Sequence, residues 1–503
     1  MSQRISSYIY YLLLVLIIAF SAYYYLPCFY SFFNSDMAIH VLMSKDFQLP
    51  RDYYYWGQNR LGSLLPMVSH AIYTVVKVHP IYICGIVNYL FLLIPFLLIA
   101  RHILNSWLRL ALACLVFLPF NSFNALLYVG HPYSQQFFCG TLFILFFLKA
   151  RQLVLARQRQ VFVMKEAAIL CAWLFASIVF FVLGVWVSEF DAILILIPLI
   201  SIPGQFKKYR SALTLKQVSL LAGFCLLLLV GGYKWFQYTK QVSVPDDQYN
   251  KAFITDGKSI SAEYDFMVQK IKAVFDYSNP DLIIENTIYI VLFLLIVFLL
   301  LKRKELRMAG NNIVSKALLL TSLVASVVLF FSFWNFRSEF CPRYYIPVYL
   351  MLSIALLWYF DKIRVRFLKP LFFLIVLSHC VTYSYLSLIR HKVTSPFEKY
   401  ADFHGLPKGT LIADYWESYL IQAVAIDNLQ SINFDGQLIR ISRWRQIPLS
   451  ETRFYFLNNE NAKKNGLKDT LIQFGIPFVF TGQKYPLRAA EVLEYRKLST
   501  NSR

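Results

Sequence analysis

The sequence predicts a polytopic α-helical membrane protein with about eleven transmembrane helices and a small extracytoplasmic α/β domain at its C-terminus. Three observations predict it. Apolar runs of about 18 to 22 residues, the length that crosses the hydrocarbon core, recur along most of the chain. Of the 503 residues, 58% are hydrophobic and only 15% charged, with mean hydropathy +0.52, whereas soluble domains carry roughly 25% charged residues. The formal charge of +21 is gathered at 101–109, 149–165, 207–216, 302–316 and 362–369, between apolar runs. Those segments alternate with connections poorer in Lys and Arg, which is the positive-inside pattern of a membrane topology and excludes nucleic acid as a partner.

The elements follow in order. The first apolar run, 8–27, comes after Arg4 and is too long and aromatic for a signal peptide, so it reads as a retained helix with a cytoplasmic N-terminus. An outer loop over 28–67 follows. Residues 61–78 read as a helix lying at the interface, because a true span there would put every later basic cluster outside. Spans are expected at 81–101, 108–126, 133–150, 166–183, 187–203, 218–236, 284–301, 317–334, 343–360 and 370–389. The pair between 166 and 203 needs a tight turn near Ser188. The membrane part is thus 1–389, with a second outer loop over 237–283 whose string AEYDFMVQKIKAVF has helical spacing. The rest, 390–503, forms the extracytoplasmic domain: TLIADYW, FYFL and PFVFT read as strands, ESYLIQAVAI and LKDTLIQF as helices. No internal repeat is evident.

The eight cysteines show no metal-ligand spacing. Six lie in apolar runs as small hydrophobes; Cys28 and Cys341 lie near outer helix ends, where spacing alone does not pair them. No Walker A string and no HExxH motif appear.

The first outer loop, NSDMAIHVLMSKDFQLPRDYYYWGQNRLGSLLPM, is the segment richest in chemistry. Asp36 opens a short stretch with apolar residues at helical spacing (Ile39, Met43, Phe47), which sets a carboxylate at a helix start near the membrane surface; it can cap that helix or act on a substrate. Asp46 and Asp52 read as solvated loop charges. Glu189 and Asp191, in VWVSEFDAIL, are ionisable groups embedded in apolar sequence: they either end a helix at the interface or serve a site. His131 and Tyr133, in the outer turn VGHPYSQQ, are candidates to line a sugar site. Arg337 and Arg343, in NFRSEFCPRYYIPVYLML, stand on the outer side against the positive-inside bias; they snorkel there or bind phosphate through the guanidinium fork.

Ser35-Asp36-Met37-Ala38, Leu42-Met43, Tyr55-Trp56-Gly57-Gln58-Asn59 and Leu61-Gly62-Ser63-Leu64 together resemble the first outer loop of GT-C superfamily membrane glycosyltransferases. The likeness is to the bacterial branch related to protein mannosyltransferases and aminoarabinose transferases. The resemblance implies transfer of a hexosyl or pentosyl group from a polyprenyl phosphate or diphosphate donor to a lipid, glycan or protein acceptor outside a bacterial cytoplasmic membrane, with inversion at the anomeric carbon. Asp36 would be the general base. Where the family commonly shows Asp-Glu, this sequence has Asp36-Met37, so a second acid is missing or supplied by Glu189 or Asp191. Arg343-Tyr344-Tyr345-Ile346-Pro347 is similar to the Arg-Tyr-x-x-Pro string that opens a late helix in the superfamily, where the Arg faces the lipid phosphate. Tyr55, Trp56, Gln58, Asn59, His131 and Tyr133 would line the substrate. Ala413-Asp414-Tyr415-Trp416 is similar to a string opening the outer domain of some relatives, which makes Asp414, Tyr415 and Trp416 acceptor-binding candidates. No resident metal is implied; Asp36 with Glu189 or Asp191 offers carboxylates to a divalent cation such as Mg or Mn. Two other readings fit the composition: a transporter or flippase of a lipid-linked glycan, and a non-catalytic membrane subunit. Polarity concentrated at outer helix ends favours surface chemistry over transport.

Overall fold

The computed structural model describes residues 7–29, 33–56, 60–156, 164–202, 214–243, 253–276, 278, 286, 287, 290, 313–362, 368–378, 395–434, 452–458, 469–473 and 475–498. Its helices are α1 (Ser7–Tyr25), α2 (Ser35–Lys45), α3 (Leu64–Val76), α4 (Pro80–Ala100), α5 (Ser106–Phe117), α6 (Tyr133–Ala156), α7 (Met164–Val187), α8 (Leu196–Ser201), α9 (Leu215–Val242), α10 (Gly257–Val274), α11 (Ile313–Phe330), α12 (Ile346–Lys362), α13 (Leu368–Ser378) and α14 (Tyr415–Val424). Among the described residues six helices are long and apolar enough to cross a membrane: α1, α4, α6, α7, α9, and α12 with the 3-10 turn that opens it. Of the expected spans, 284–301 lies almost entirely outside the described residues, and 370–389 is described only as far as Ser378, within α13.

Two expected spans are not straight helices. The run 108–126 breaks after α5: Leu118 leaves helical geometry, Pro119 removes the next N–H donor, and the chain resumes as a 3-10 turn, Asn121–Leu127, bent by 81° from α5. The run 187–203 is a 3-10 segment, Glu189–Ile195, leading into the short α8. Apolar length alone does not distinguish these broken forms from one continuous span. The stretch 61–78 holds α3, which has 13 residues and falls short of a crossing.

In the C-terminal domain six strands, β1 (Gly409–Ala413), β2 (Leu429–Asn433), β3 (Phe454–Asn458), β4 (Thr470–Gln473), β5 (Ile476–Pro486) and β6 (Glu491–Lys497), form one mixed sheet in the order β2-β1-β3-β6-β5-β4. β1 pairs in parallel with β2 and β3; the other pairings are antiparallel. β1 is buried along its whole length, and α14 covers it, as a crossover from β1 to the parallel β2 requires. The string LKDTLIQF, expected to be helical, instead supplies β4. Its edge position is fixed by hydrogen bonding to β5, a long-range partner that local spacing does not reveal.

This domain rests on α2. Ser35 Oγ donates to the Trp416 carbonyl at 2.8 Å; at the other end Lys45 Nζ donates to the Ile426 carbonyl at 2.8 Å and to Asp427 at 2.7 Å. The two helices therefore lie side by side and parallel. Met37, Ala38, Ile39, Val41, Leu42 and Met43 are all buried, so α2 is not an exposed interfacial helix. It is wedged between α3, α4 and α14.

Candidate active site

The base candidate is positioned from three directions. Asn34 caps α2 by accepting from the Met37 N–H at 3.1 Å, which leaves Asp36 in the first turn with its carboxylate free of capping duty. Tyr55 donates its hydroxyl to Asp36 Oδ1 at 3.0 Å. Behind the carboxylate the turn before α6 closes in: a Cβ on Gly130 would lie 2.9 Å from the Met37 nitrogen and 3.0 Å from the Asp36 carbonyl carbon, so only glycine allows that approach. The Tyr55 loop is itself tied down. The Tyr55 N–H donates to the Leu61 carbonyl and the Gly62 N–H to the Val187 carbonyl, and a Cβ on Gly62 would sit 2.6 Å from the Trp186 carbonyl oxygen.

One helical turn from Asp36, on the same face, is His40, which sequence reasoning missed although the i, i+4 spacing was the available signal. It is buried, its ring lies 5.0 Å from that of Tyr55, and its Nδ1 has no partner. Burial pushes its pKa down to about 3, against the opposing pull of Asp36. His131, in the outer turn, is also pushed down to about 3 by burial and by Arg343. Both rings are neutral at physiological pH, so neither brings a positive charge to the Asp36 carboxylate. Replacing Tyr55 by Phe removes one hydrogen bond to that charged group; we expect an approximately tenfold lower transfer rate, read from initial rates of labelled-sugar transfer.

The cations gather around Tyr133 and Trp334. Arg343, in the 3-10 turn Pro342–Tyr345 that opens α12, donates to the Tyr344 hydroxyl at 3.2 Å. Arg60, also missed from sequence, lies over the Trp334 ring at 4.1 Å, with Arg337 near the same ring at 5.4 Å. Arg343 and Arg60 both lie within electrostatic reach of Tyr133. The signal for Arg60 was the one used for Arg343, a cation in a segment expected to lie outside, against the positive-inside bias. Beneath Tyr133 a mostly apolar cleft with about 530 Å³ of atom-free space runs between α6, the Glu189–Ile195 turn, α11 and α12. Phe137, Leu194, Leu318 and Leu350 are among its walls.

Other sequence candidates fall elsewhere. Glu189 does not face Asp36; it forms an ion pair with Lys240 of α9. Asp191 is buried in the cleft wall, where its Oδ1 accepts from Gln136 Nε2 at 2.9 Å. Its turn folds inward under α7, against Gly184, instead of rising to the surface. Trp56 is buried and donates its Nε1–H to Asp52 Oδ1 at 2.8 Å, so it anchors the loop rather than lining a substrate. Asp52, expected to be solvated, is 4% exposed and accepts at its other oxygen from the Gln48 N–H at 2.7 Å. Asp414 is the N-cap of α14, accepting from the Glu417 N–H at 2.9 Å; Tyr415 is buried against Tyr419, and Trp416 stays exposed. Gln58 and Asn59 lie outside the described residues. Cys28 and Cys341 are free thiols. Among the described residues no three His, Cys, Asp or Glu side chains converge on one point, so Asp36, Glu189 and Asp191 do not assemble as a cation cage.

α10 docks against the segment that carries the arginines. Asn335 Nδ2 donates to Glu263 Oε1 at 2.6 Å and to the Tyr345 hydroxyl at 3.3 Å, and burial raises the Glu263 pKa from 4.5 to about 7. With α10 released, Glu263 loses its proton near its ordinary value; docked, it keeps it up to about 7. The docked form therefore binds more protons between those values, and docking is strongest below about 4.5 and weakens as pH rises through about 7. Hydrogen-exchange protection of 257–274, corrected for intrinsic rates, should fall across that window in the wild type and stay flat in Glu263→Gln.

No protein-family model and no curated protein sequence matches the chain. Among solved structures it is similar to ArnT from Cupriavidus metallidurans bound to undecaprenyl phosphate, with a TM-score of 0.53 and 10% identity over 97% of this chain and 98% of that one. The apo form of the same protein gives a TM-score of 0.52 at 11% identity, over the same shares of both chains. A looser likeness, TM-score 0.40 at 12% identity, covers 84% of this chain and 63% of the Archaeoglobus fulgidus oligosaccharyltransferase tethered with an acceptor peptide. The chain shares the fold of ArnT along nearly its whole length.

Proposed function

We propose that this protein is a GT-C-type glycosyltransferase that moves a sugar from a polyprenyl-phosphate donor to an acceptor on the outer side of a bacterial cytoplasmic membrane. The observation that carries the reading is a chain of neighbours beside an apolar cleft: Asp36, held by Tyr55, acts on His40, His40 feels His131, and Arg343 acts on both His131 and Tyr133, which Arg60 also reaches. In this reading the cleft takes the first isoprenoid units and the guanidiniums face the phosphate. Asp36, with Oδ1 held by Tyr55, takes the acceptor hydroxyl proton as the new bond to the anomeric carbon forms and the bond to the phosphate oxygen breaks. The polyprenyl phosphate leaves with its charge met by Arg343 and Arg60. Likeness of fold to a protein that binds undecaprenyl phosphate supports the donor class. The pool of acceptors stays as wide as lipid, glycan or protein.

The test is transfer itself. Detergent-purified protein receives a mixed pool of radiolabelled polyprenyl-phosphate sugars with membrane extract as acceptor. The reading expects label to leave the lipid fraction and enter one acceptor class. Label that stays on lipid but crosses the bilayer in proteoliposomes would instead make the protein a flippase.

A further inference from the structure

The loop between α11 and α12 bends through Glu339 and Phe340, which have φ of 53° and 57°. Two successive non-glycine residues in the left-handed region are strained and persist only where the surroundings hold them. They lie between the turn carrying Arg337 and Trp334, whose ring sits under Arg60, and the turn carrying Arg343. The strain is therefore stored in the connection that sets the spacing of the cations.

What holds it is Asn335. Its backbone carbonyl accepts the Phe340 N–H at 3.1 Å, closing the strained bend. Its side chain, fully buried, reaches forward to the Tyr345 hydroxyl, two residues past Arg343, and across to Glu263. Glu263, fully buried on α10, comes from the second outer loop and lies about seventy residues away in sequence. It is not a surface charge that happens to meet an amide. One of its oxygens is fixed on Asn335 and the other, Oε2, is buried without a partner, a costly arrangement with no use in capping or solubility. Two further contacts dock the same loop on the same segment: the Ile254 N–H donates to the Phe331 carbonyl at 2.9 Å, and Phe266 lies 6.2 Å from Phe336.

We propose that Glu263 is a positioning residue for donor phosphate: through Asn335 it holds the strained bend that sets Arg343 in place. The inference rests on the reading of Arg343 as a phosphate ligand. Glu263 touches neither substrate nor Asp36. Removing it leaves the base and the cations present but lets the bend relax, so donor affinity falls far more than the rate of the chemical step once donor is bound.

The experiment measures binding of undecaprenyl phosphate to the full-length protein in nanodiscs, together with KM and kcat for the donor, in wild type, Glu263→Ala, Glu263→Gln and Arg343→Ala. Expected are binding and donor KM about tenfold worse in Glu263→Ala with kcat within about twofold. Glu263→Gln, which keeps an acceptor oxygen for Asn335, should recover most of the loss. Faster hydrogen exchange over 333–345 in Glu263→Ala should accompany it. If Arg343→Ala loses binding and Glu263→Ala does not, the proposal falls while the phosphate reading stands. If Arg343→Ala binds like wild type, the phosphate reading itself falls. Where Glu263→Ala fails to accumulate, Tyr345→Phe removes only the hydroxyl at the other end of the relay. A KM increase of a few-fold with unchanged kcat supports the proposal, and an unchanged KM overturns it.

Discussion

Asp36→Asn is expected to lower the rate of sugar transfer by a hundredfold or more while leaving donor binding within about threefold of wild type. The size follows from what a general base supplies, about 10²–10⁴ in rate. The selectivity follows from geometry. Asparagine keeps an oxygen to accept from the Tyr55 hydroxyl and fits the space that Gly130 leaves behind the residue, so the loop and α2 keep their shape. What is lost is the carboxylate alone. His40 and His131 do not replace it, because both rings are held well below their ordinary pKa, neither has the carboxylate's place beside Tyr55, and His40 is buried. Initial rates with a radiolabelled donor, alongside equilibrium binding of the same donor, separate the two effects.

Arg343→Ala acts on the other half of the reaction. A guanidinium bound to a phosphate through charge-assisted hydrogen bonds is worth about 1.5–3 kcal/mol, so we expect donor KM to rise about ten- to hundredfold. Leaving-group charge develops at the same place, and kcat should fall as well, by a smaller factor because Arg60 remains over Trp334. Arg343→Lys should recover little, since an ammonium lacks the fork and the contact to the Tyr344 hydroxyl. Donor-saturation curves for the two variants check this. Equal KM values in wild type and Arg343→Ala would remove Arg343 from the phosphate site.

How much of this was legible in the sequence differs by residue. Hydropathy and basic-cluster alternation carry the membrane architecture because lipid imposes one length and one composition on every span. They do not see the break at Pro119 or the inward 3-10 turn at 189–195, since an apolar run scores alike straight or bent. Asp36, Tyr55 and Arg343 were visible as local strings. Trp56 and Asp414 belong to the same strings, yet their side chains serve the fold; a string does not say which of its members faces outward. Glu189 and Asp191 were adjacent carboxyls in one apolar stretch, and the structure sends one to Lys240 and the other to Gln136. Arg60 with Trp334, and Glu263 with Asn335, are pairs joined only by tertiary structure, beyond any spacing rule. β4 was misread for the same reason: the pairing that makes TLIQ a strand belongs to β5.

The central claim is that one carboxylate, Asp36, takes the acceptor's proton while the donor is held independently by Arg343. The most direct measurement is a single-turnover experiment on one preparation each of wild type and Asp36→Asn, both saturated with labelled polyprenyl-phosphate sugar before acceptor is added. The account predicts equal loading of donor and a transfer step at least a hundredfold slower in Asp36→Asn. Equal loading with equal transfer would contradict it and place the base elsewhere in the molecule.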